Sequence, residues 1–364
     1  MRPCGVSTHG PAPTEAELCL HLAGGTADEL RKLRRTFGSG RPWLGLSRDA
    51  WGRVRLPRGR IEKLSGLRDG RAARHELARC RKGGIRLVAH SHGDYPDCLR
   101  TLPQPPVLLC VRGRWPTPER TLAVVGSRAA TPYGRQATRR LAGAAVRDGF
   151  AVVSGLARGI DHSALTATLD EDGWPIAVLG CGIDVAYPPE HVELQETIAR
   201  EGTLISEFPL GTHPTRFTFP RRNRIIAALA QAVLVVEAGQ RSGALITAGY
   251  ALELDREVLA VPGPIDSVQS RGTNRLILDG AHPVIDVPGL LLPLGSSGDG
   301  APRAAQASHP LLVALGGRAL AVDELARAAG TDVRSTRSAL IALELSGEVS
   351  RVDGGRYVAR GTRG

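Results

Sequence analysis

Between Leu122 and Val287 short apolar runs alternate with stretches whose apolar residues recur at helical spacing, an order few folds can accommodate. The strands read from it are Leu122–Val125, Ala151–Val153, Ile176–Leu179, Thr203–Ile205, Val233–Val236, Val258–Val261 and Pro283–Ile285. Helices are expected near Arg135–Val146, Ile160–Leu169, His191–Arg200, Arg222–Ala230, Ala244–Leu254 and Thr273–Leu278. Strands apolar on both faces, each followed by one helix, describe a parallel sheet covered on both sides. The expectation is a doubly wound, mostly parallel α/β domain of the Rossmann type. Ligands in such folds bind beyond the carboxyl ends of the strands, so the residues just after each strand carry the functional reading.

The flanks differ in character. With 364 residues the chain suits two or three domains. Residues 1–83 show apolar positions at helical spacing (Leu18, Leu22, Leu30, Leu33, Phe37) broken by Gly24-Gly25 and by Gly38 to Pro42, and read as a small basic helical domain. The α/β domain is expected over residues 84–287, with a lead-in holding two short strands, Ile85–Val88 and Val107–Val111. Residues 288–308, rich in Gly, Ser, Pro and Ala, read as a linker. Residues 309–364 read as three helices, His309–Leu315, Asp323–Ala329 capped by Asp323, and Thr331 to Leu345. A hairpin of Glu348–Val352 and Tyr357–Ala359 follows, joined through Asp353-Gly354-Gly355. That is a winged helix, its third helix offering Arg334 and Arg337 to a groove.

Charge is unevenly placed. Residues 1–115 hold 22 Lys and Arg against 10 Asp and Glu, residues 116–295 hold 16 against 19, and residues 296–364 hold 9 against 7. A basic balance fits a nucleic-acid partner, although only three of the cations are lysines and an arginine bias of base composition would give the same total. No lysine follows Lys82, which removes the P-loop nucleotidases. Six cysteines without a C-x-x-C pair point to neither a zinc site nor a disulfide framework. No apolar run reaches the roughly 20 residues of a membrane helix, and no secretory h-region follows Met1, so the expected location is the cytoplasm.

Three turns after strands lie where a ligand would sit. Gly126-Ser127-Arg128 combines a glycine for close backbone approach, a hydroxyl, and a planar guanidinium suited to phosphate. Ser154-Gly155-Leu156-Ala157-Arg158-Gly159-Ile160-Asp161 leads small residues into a helix N-terminus, which favours anions. Ser242-Gly243 does the same after the fifth strand. The densest cluster is Phe217-Thr218-Phe219-Pro220-Arg221-Arg222-Asn223-Arg224, in a domain that is otherwise net acidic. Arginines neutralise phosphates and an aromatic face stacks a base, the pairing used on single strands. A structural role for the same residues, with a phenylalanine in the core and arginines paired to Glu207 or Glu237, stays open. Gly180-Cys181-Gly182 lacks the third glycine of a dinucleotide site, and His162, Asp184, His191 and Glu207 group into no triad or metal set, so no cofactor and no metal is expected.

Taken in order, Val125-Gly126-Ser127-Arg128, Ser154 to Asp161, Phe219-Pro220-Arg221-Arg222-Asn223-Arg224, Val236-Glu237-Ala238 with Ser242-Gly243, and Val261-Pro262-Gly263 resemble the DprA/Smf family of bacterial DNA-processing proteins. The resemblance spans about residues 84–287. It implies an extended Rossmann domain that binds single-stranded DNA without catalysis, associates as a homodimer, and delivers the strand to a RecA-type recombinase in natural transformation, with no membrane partner. Carried over by motif, the DNA pocket would hold Gly126, Ser127, Arg128, Gly155, Arg158, Phe219, Arg221, Arg222, Asn223 and Arg224, with Ser242 and Gly243 at its edge. Departures from the pattern are Ala164-Leu165 and His191, and the first 80 residues match poorly. Two other functions are weighed against it. A nucleotide N-glycosidic hydrolase would need a Pro-Gly-Gly-x-Gly-Thr turn, where this chain has Val261-Pro262-Gly263-Pro264. A winged-helix transcription regulator would prefer duplex DNA.

Overall fold

The computed structural model describes residues 12–38, 50–295, 310–315, 320–345, 349–352 and 356–359. Met1 to Gly10 with Cys4, residues 39–42 of the expected helix break, residues 296–308 of the expected linker, His309, Glu348 and the Asp353-Gly354-Gly355 turn lie outside these residues. The chain divides into two compact units, the first reaching Gly300 and the second starting at Ala301.

The first unit opens with four helices, α1 (Glu15–Leu22), α2 (Ala27–Phe37), α3 (Arg58–Ser65) and α4 (Arg71–Lys82). The lead-in follows as β1 (Arg86–Ala89), α5 (Asp97–Arg100) and β2 (Leu108–Gly113). Then come β3 (Thr121–Val125), α6 (Pro132–Arg147), β4 (Ala151–Ser154), α7 (Ile160–Asp170), β5 (Pro175–Leu179), α8 (Val192–Glu201) and β6 (Thr203–Ser206). The unit closes with α9 (Thr218–Leu229), β7 (Ala232–Val235), α10 (Gly243–Glu253), β8 (Glu257–Ala260), α11 (Arg271–Leu278), β9 (His282–Pro283) and α12 (Val287–Leu291). The nine strands form one sheet in the order β1-β2-β6-β5-β4-β3-β7-β8-β9. From β6 to β9 every pairing is parallel, while β2 joins β6, and β1 joins β2, antiparallel. The lead-in strands therefore extend the sheet itself. After β6 the chain returns to the far side of β3, which puts the topological switch point between β3 and β7.

The double alternation of the strands accounts for the layers. Leu122 and Val124 of β3, with Ala232 and Leu234 of β7, pack against Leu141, Ala145, Ile160 and Ala164 of α6 and α7. Ala123, Val125, Val233 and Val235 face the other way, toward Ile225, Ile226, Ala244 and Ala248 of α9 and α10. At the β2 end, Leu108, Cys110 and Leu204 would have no cover from these helices. They share one apolar cluster with Leu18 and Leu20 of α1, Leu33 of α2, Leu64 of α3 and Cys80 of α4, together with Ile198 of α8. The N-terminal helices, read from sequence as a domain of their own, are thus the missing part of a layer.

Three boundaries differ from the sequence reading. Residues 288–294 of the expected linker are helical, because Asp286 caps α12 through a bond from the Gly289 amide (2.7 Å) and Leu290 is buried in the α6–α7 layer. The fourth of the expected α/β helices begins at Thr218 rather than Arg222, so the arginine cluster lies inside α9. The last strand of the sheet is only His282–Pro283. Among the described residues no helix is long and apolar enough to cross a membrane, and no described cysteine is bridged.

The second unit contains α13 (Pro310–Leu315), α14 (Val322–Ala329), α15 (Val333–Leu345) and an antiparallel pair, β10 (Val349–Val352) with β11 (Arg356–Ala359). Leu311, Leu315, Leu325, Leu340, Leu343 and Val349 form its core. Asp323 is in the first turn of α14 and is not its cap. There the Glu324 carboxylate accepts from the Ala321 amide at 2.8 Å. Three helices and a two-stranded wing make a winged helix, as the sequence implied.

Because α1–α4 complete a layer of the sheet, residues 12–295 should unfold as one transition. Leu20→Ala, at a fully buried site, is expected to destabilise the whole unit by about 2–5 kcal/mol. A separate early transition of the helices in calorimetry would contradict the shared core. His21 of the same helix is buried, with its Nε2 3.9 Å from the Cys110 sulfur. Burial, aided by the Arg221 charge, holds its imidazole down at about 4 against 6.5 when free. The unfolded chain then takes up a proton that the folded chain refuses, so stability present above pH 6.5 is lost as pH falls toward 4, by about 3 kcal/mol. His21→Gln should flatten that part of a pH–stability profile.

Candidate nucleic-acid interface

The turns that follow β3, β4 and β7 and the start of α9 meet at the switch point around a cleft of about 830 Å³. Of the residues read from sequence, Gly126, Ser127, Arg128, Phe219, Arg222, Asn223, Ser242 and Gly243 all line it. Arg128 is exposed on the turn after β3, its guanidinium 4.6 Å from the centroid of the Phe219 ring. Gly126 is required by close approach. A Cβ there would stand 2.6 Å from Ile160 Cγ1 and 2.9 Å from the Glu237 carbonyl oxygen. Ser127 is a clip more than a ligand: its amide donates to the Glu237 carbonyl at 2.7 Å and its hydroxyl to Gln269 Oε1 at 2.9 Å. Ser242 caps α10, its hydroxyl accepting from the Ala244 amide at 3.3 Å, and Gly243 leaves that helix start open to the cleft.

Arg222 and Asn223 form the floor. Arg222 is buried and donates to the Gly155 carbonyl at 2.6 Å and to the Val178 carbonyl. Burial draws its pKa down to about 10, which leaves it cationic at neutral pH. The guanidinium takes the space a Cβ on residue 155 would need, so Gly155 admits the arginine and does not itself line the cleft. Asn223 accepts from Arg222 Nε at 3.2 Å and donates to the Gly243 carbonyl at 3.2 Å, tying α9 to α10. The Asp161 carboxyl, raised by burial despite the Arg222 charge, accepts from the Gly155 and Ala157 amides at 3.1 and 3.3 Å. It shapes the β4 turn.

Besides Gly155, three expected site residues fall elsewhere. Arg158 is paired with Glu190 on the surface. Arg221 and Arg224 turn to the side of α9 away from the cleft, where both bind the buried Glu207 carboxylate, Arg221 through contacts of 3.1 and 3.0 Å. Arg224 is itself buried. The helical geometry is the reason: residues two apart, such as 222 and 224, point about 160° away from one another. The Glu207 pairing that the sequence left open is what the fold realises.

The cleft also holds cations that the sequence reading passed over, Arg216 before α9 and Arg241 before α10, both exposed. Spacing offered no pointer to Arg216, which precedes the helix by two residues. With Arg128 they leave three exposed guanidinium groups around one concave surface, beside the N-terminus of α10. Such a site accepts a chain of phosphates. Among the described residues no group of three or more His, Cys, Asp or Glu is placed to hold a metal ion.

The two sets of arginines should separate in experiment. Arg224→Ala leaves Glu207 half-paired in the interior and should cost about 3–5 kcal/mol of stability. Arg128→Ala, on an exposed side chain, should shift the melting temperature hardly at all. Equal melting temperatures for the two variants would contradict the burial described for Arg224.

Comparison with known proteins agrees with this architecture. Residues 86–292 match the family model for DNA recombination-mediator protein A, and residues 297–355 match that of the DprA winged helix domain. The protein Smf of Synechocystis is 41% identical over 241 residues, covering 65% of this chain and 61% of its own length, so this chain spans less than two thirds of that relative. The X-ray structure of DNA processing protein A from Streptococcus pneumoniae superposes with a TM-score of 0.66 at 32% identity, over 78% of this chain and 98% of that one. A Helicobacter pylori DNA processing protein A, whose structure describes a single-stranded DNA binding mode, gives a TM-score of 0.51 at 28% identity, over 57% of this chain and 95% of that one. The model match alone covers more than half of the sequence, and with the fold of a solved relative and the winged helix in agreement, the chain belongs to the DNA recombination-mediator protein A family, the DprA/Smf proteins.

Proposed function

We propose that this protein binds single-stranded DNA without regard to sequence, seating its phosphates in the switch-point cleft. The observation that carries the reading is the convergence of Arg128, Arg216 and Arg241 on one concave surface, within a segment, residues 116–295, that holds 16 Lys and Arg against 19 Asp and Glu. Cations gathered there, against the balance of that segment, concentrate the field where the α10 N-terminus also points. The single-strand binding mode of the H. pylori relative supports the choice of ligand. The work such a protein would do is to protect incoming DNA and load a RecA-type recombinase in the cytoplasm during transformation, acting as a homodimer. Those finer steps rest on family membership and on no feature of the cleft.

The site favours binding over catalysis. Its one carboxyl, Asp161, is buried and held by two backbone amides, so it is not presented as a base. Hydrolysis of an N-glycosidic bond would need a carboxylate free to face the sugar.

Fluorescence anisotropy with labelled oligo-dT across a salt series tests the reading. Arg128→Ala and Arg216→Ala should each weaken binding by roughly ten- to hundred-fold, the range for a lost charged hydrogen bond. Each should also reduce the slope of log affinity against log salt by about 0.7, one phosphate contact on a single strand. Preference for the matching duplex, or slopes unchanged in both variants, would overturn the proposal and shift attention to the winged helix, where Arg337 is exposed on α15.

A further inference from the structure

We infer that Phe217 is a stacking platform for a nucleobase at the mouth of the cleft, a role distinct from that of Phe219; this rests on the single-strand reading above. Phe219 lines the cleft, but its ring is already engaged. The Arg128 guanidinium stands over it, the Tyr187 ring lies 5.5 Å away, and the Gly180 backbone packs against its edge, where a Cβ would come within 2.8 Å.

Phe217 is in the opposite situation. It is 70% exposed, although it is a large apolar side chain in a chain with only five phenylalanines. The turn that carries it is well held. Thr215 receives a bond from the Thr218 amide at 3.2 Å, its own amide donates to Thr218 Oγ1 at 3.0 Å, and its hydroxyl accepts from the Phe217 amide at 3.3 Å. The same turn presents Arg216, which lines the cleft and places its guanidinium 4.7 Å from the Phe217 centroid. That cation lies over one face of the ring, as Arg128 does at Phe219, but at 70% exposure most of the Phe217 side chain still meets solvent. A rigid turn therefore offers, next to each other, a phosphate ligand and an apolar ring. Those are the two surfaces that one nucleotide of an extended strand exposes, and every base has a face to stack, so the contact carries no sequence preference.

Stacking and charge can be separated with two oligonucleotides of equal length, oligo-dT and an abasic oligomer with the same phosphates. Phe217→Leu, which keeps an apolar side chain at an exposed site, should weaken oligo-dT binding by roughly five- to hundred-fold, the range for one lost base–aromatic stack. It should leave abasic binding and the salt slope as in wild type, and Phe217→Tyr should restore oligo-dT binding. Arg128→Ala should weaken both oligomers alike. Wild-type affinity of Phe217→Leu for oligo-dT, with the Arg128→Ala loss intact, overturns the platform alone. Equal weakening of both oligomers by Phe217→Leu also overturns it, since the ring would then act through Arg216. Failure of the wild type to bind oligo-dT, or indifference to Arg128→Ala, overturns the cleft reading and the platform together.

Discussion

One buried guanidinium organises the functional end of this molecule. Arg222 of α9 reaches beneath the strand ends and donates to the carbonyls of Gly155, after β4, and Val178, within β5. A charge withdrawn from water costs several kcal/mol unless its donors are satisfied, so the surroundings must conform to it. Residue 155 has to be glycine because the guanidinium occupies the place of a Cβ, and Asn223 turns its amide to receive Nε. Asp161, buried close by, offsets part of the charge while holding the Gly155 and Ala157 amides. The β4 turn, the start of α9 and the start of α10 are thereby fixed relative to one another, and the cleft is the space left between them.

The arginines of this region divide into two kinds of work. Arg221 and Arg224 share the Glu207 carboxylate and secure α9 to the end of β6. Arg128, Arg216 and Arg241 are exposed around the cleft and keep their donors for something else. The division follows from where the residues stand: Arg221 and Arg224 lie within α9 against the buried Glu207, while Arg128, Arg216 and Arg241 lie on the turns that open around the cleft. A local net charge says nothing of this partition. Among the described cleft residues these three side chains are exposed, while the buried arginines fix the elements around them.

Much of the fold was legible because it depends on alternation. Residues such as Leu122 to Val125 are apolar on both faces, and in the structure successive side chains enter opposite layers. The N-terminal helices were legible as helices from the spacing of Leu18, Leu22, Leu30, Leu33 and Phe37. Their partnership with the sheet was not, since it is dictated by the uncovered face of β2 and β6, more than 80 residues away from α1. Most cleft residues were also legible, because turns after parallel strands converge wherever the chain reverses direction in the sheet. Arg158, Arg221 and Arg224 were misplaced for one reason: their acidic partners, Glu190 and Glu207, come from other loops, and neighbourhood in sequence gave no account of them.

By itself the sequence determined the class of fold, the order of its strands and helices, the winged helix and the family, since all of these are written in short-range periodicity and in motifs of a few residues. The tertiary structure decided which arginines stand exposed around the cleft and which are buried fasteners, that the N-terminal helices are a layer of the sheet, and that Phe217 is more exposed than Phe219. The physical reason is that a charged or aromatic side chain is defined by what surrounds it. Burial, a carboxylate or a covering cation are all supplied by segments distant in the chain, and only folding brings them into contact.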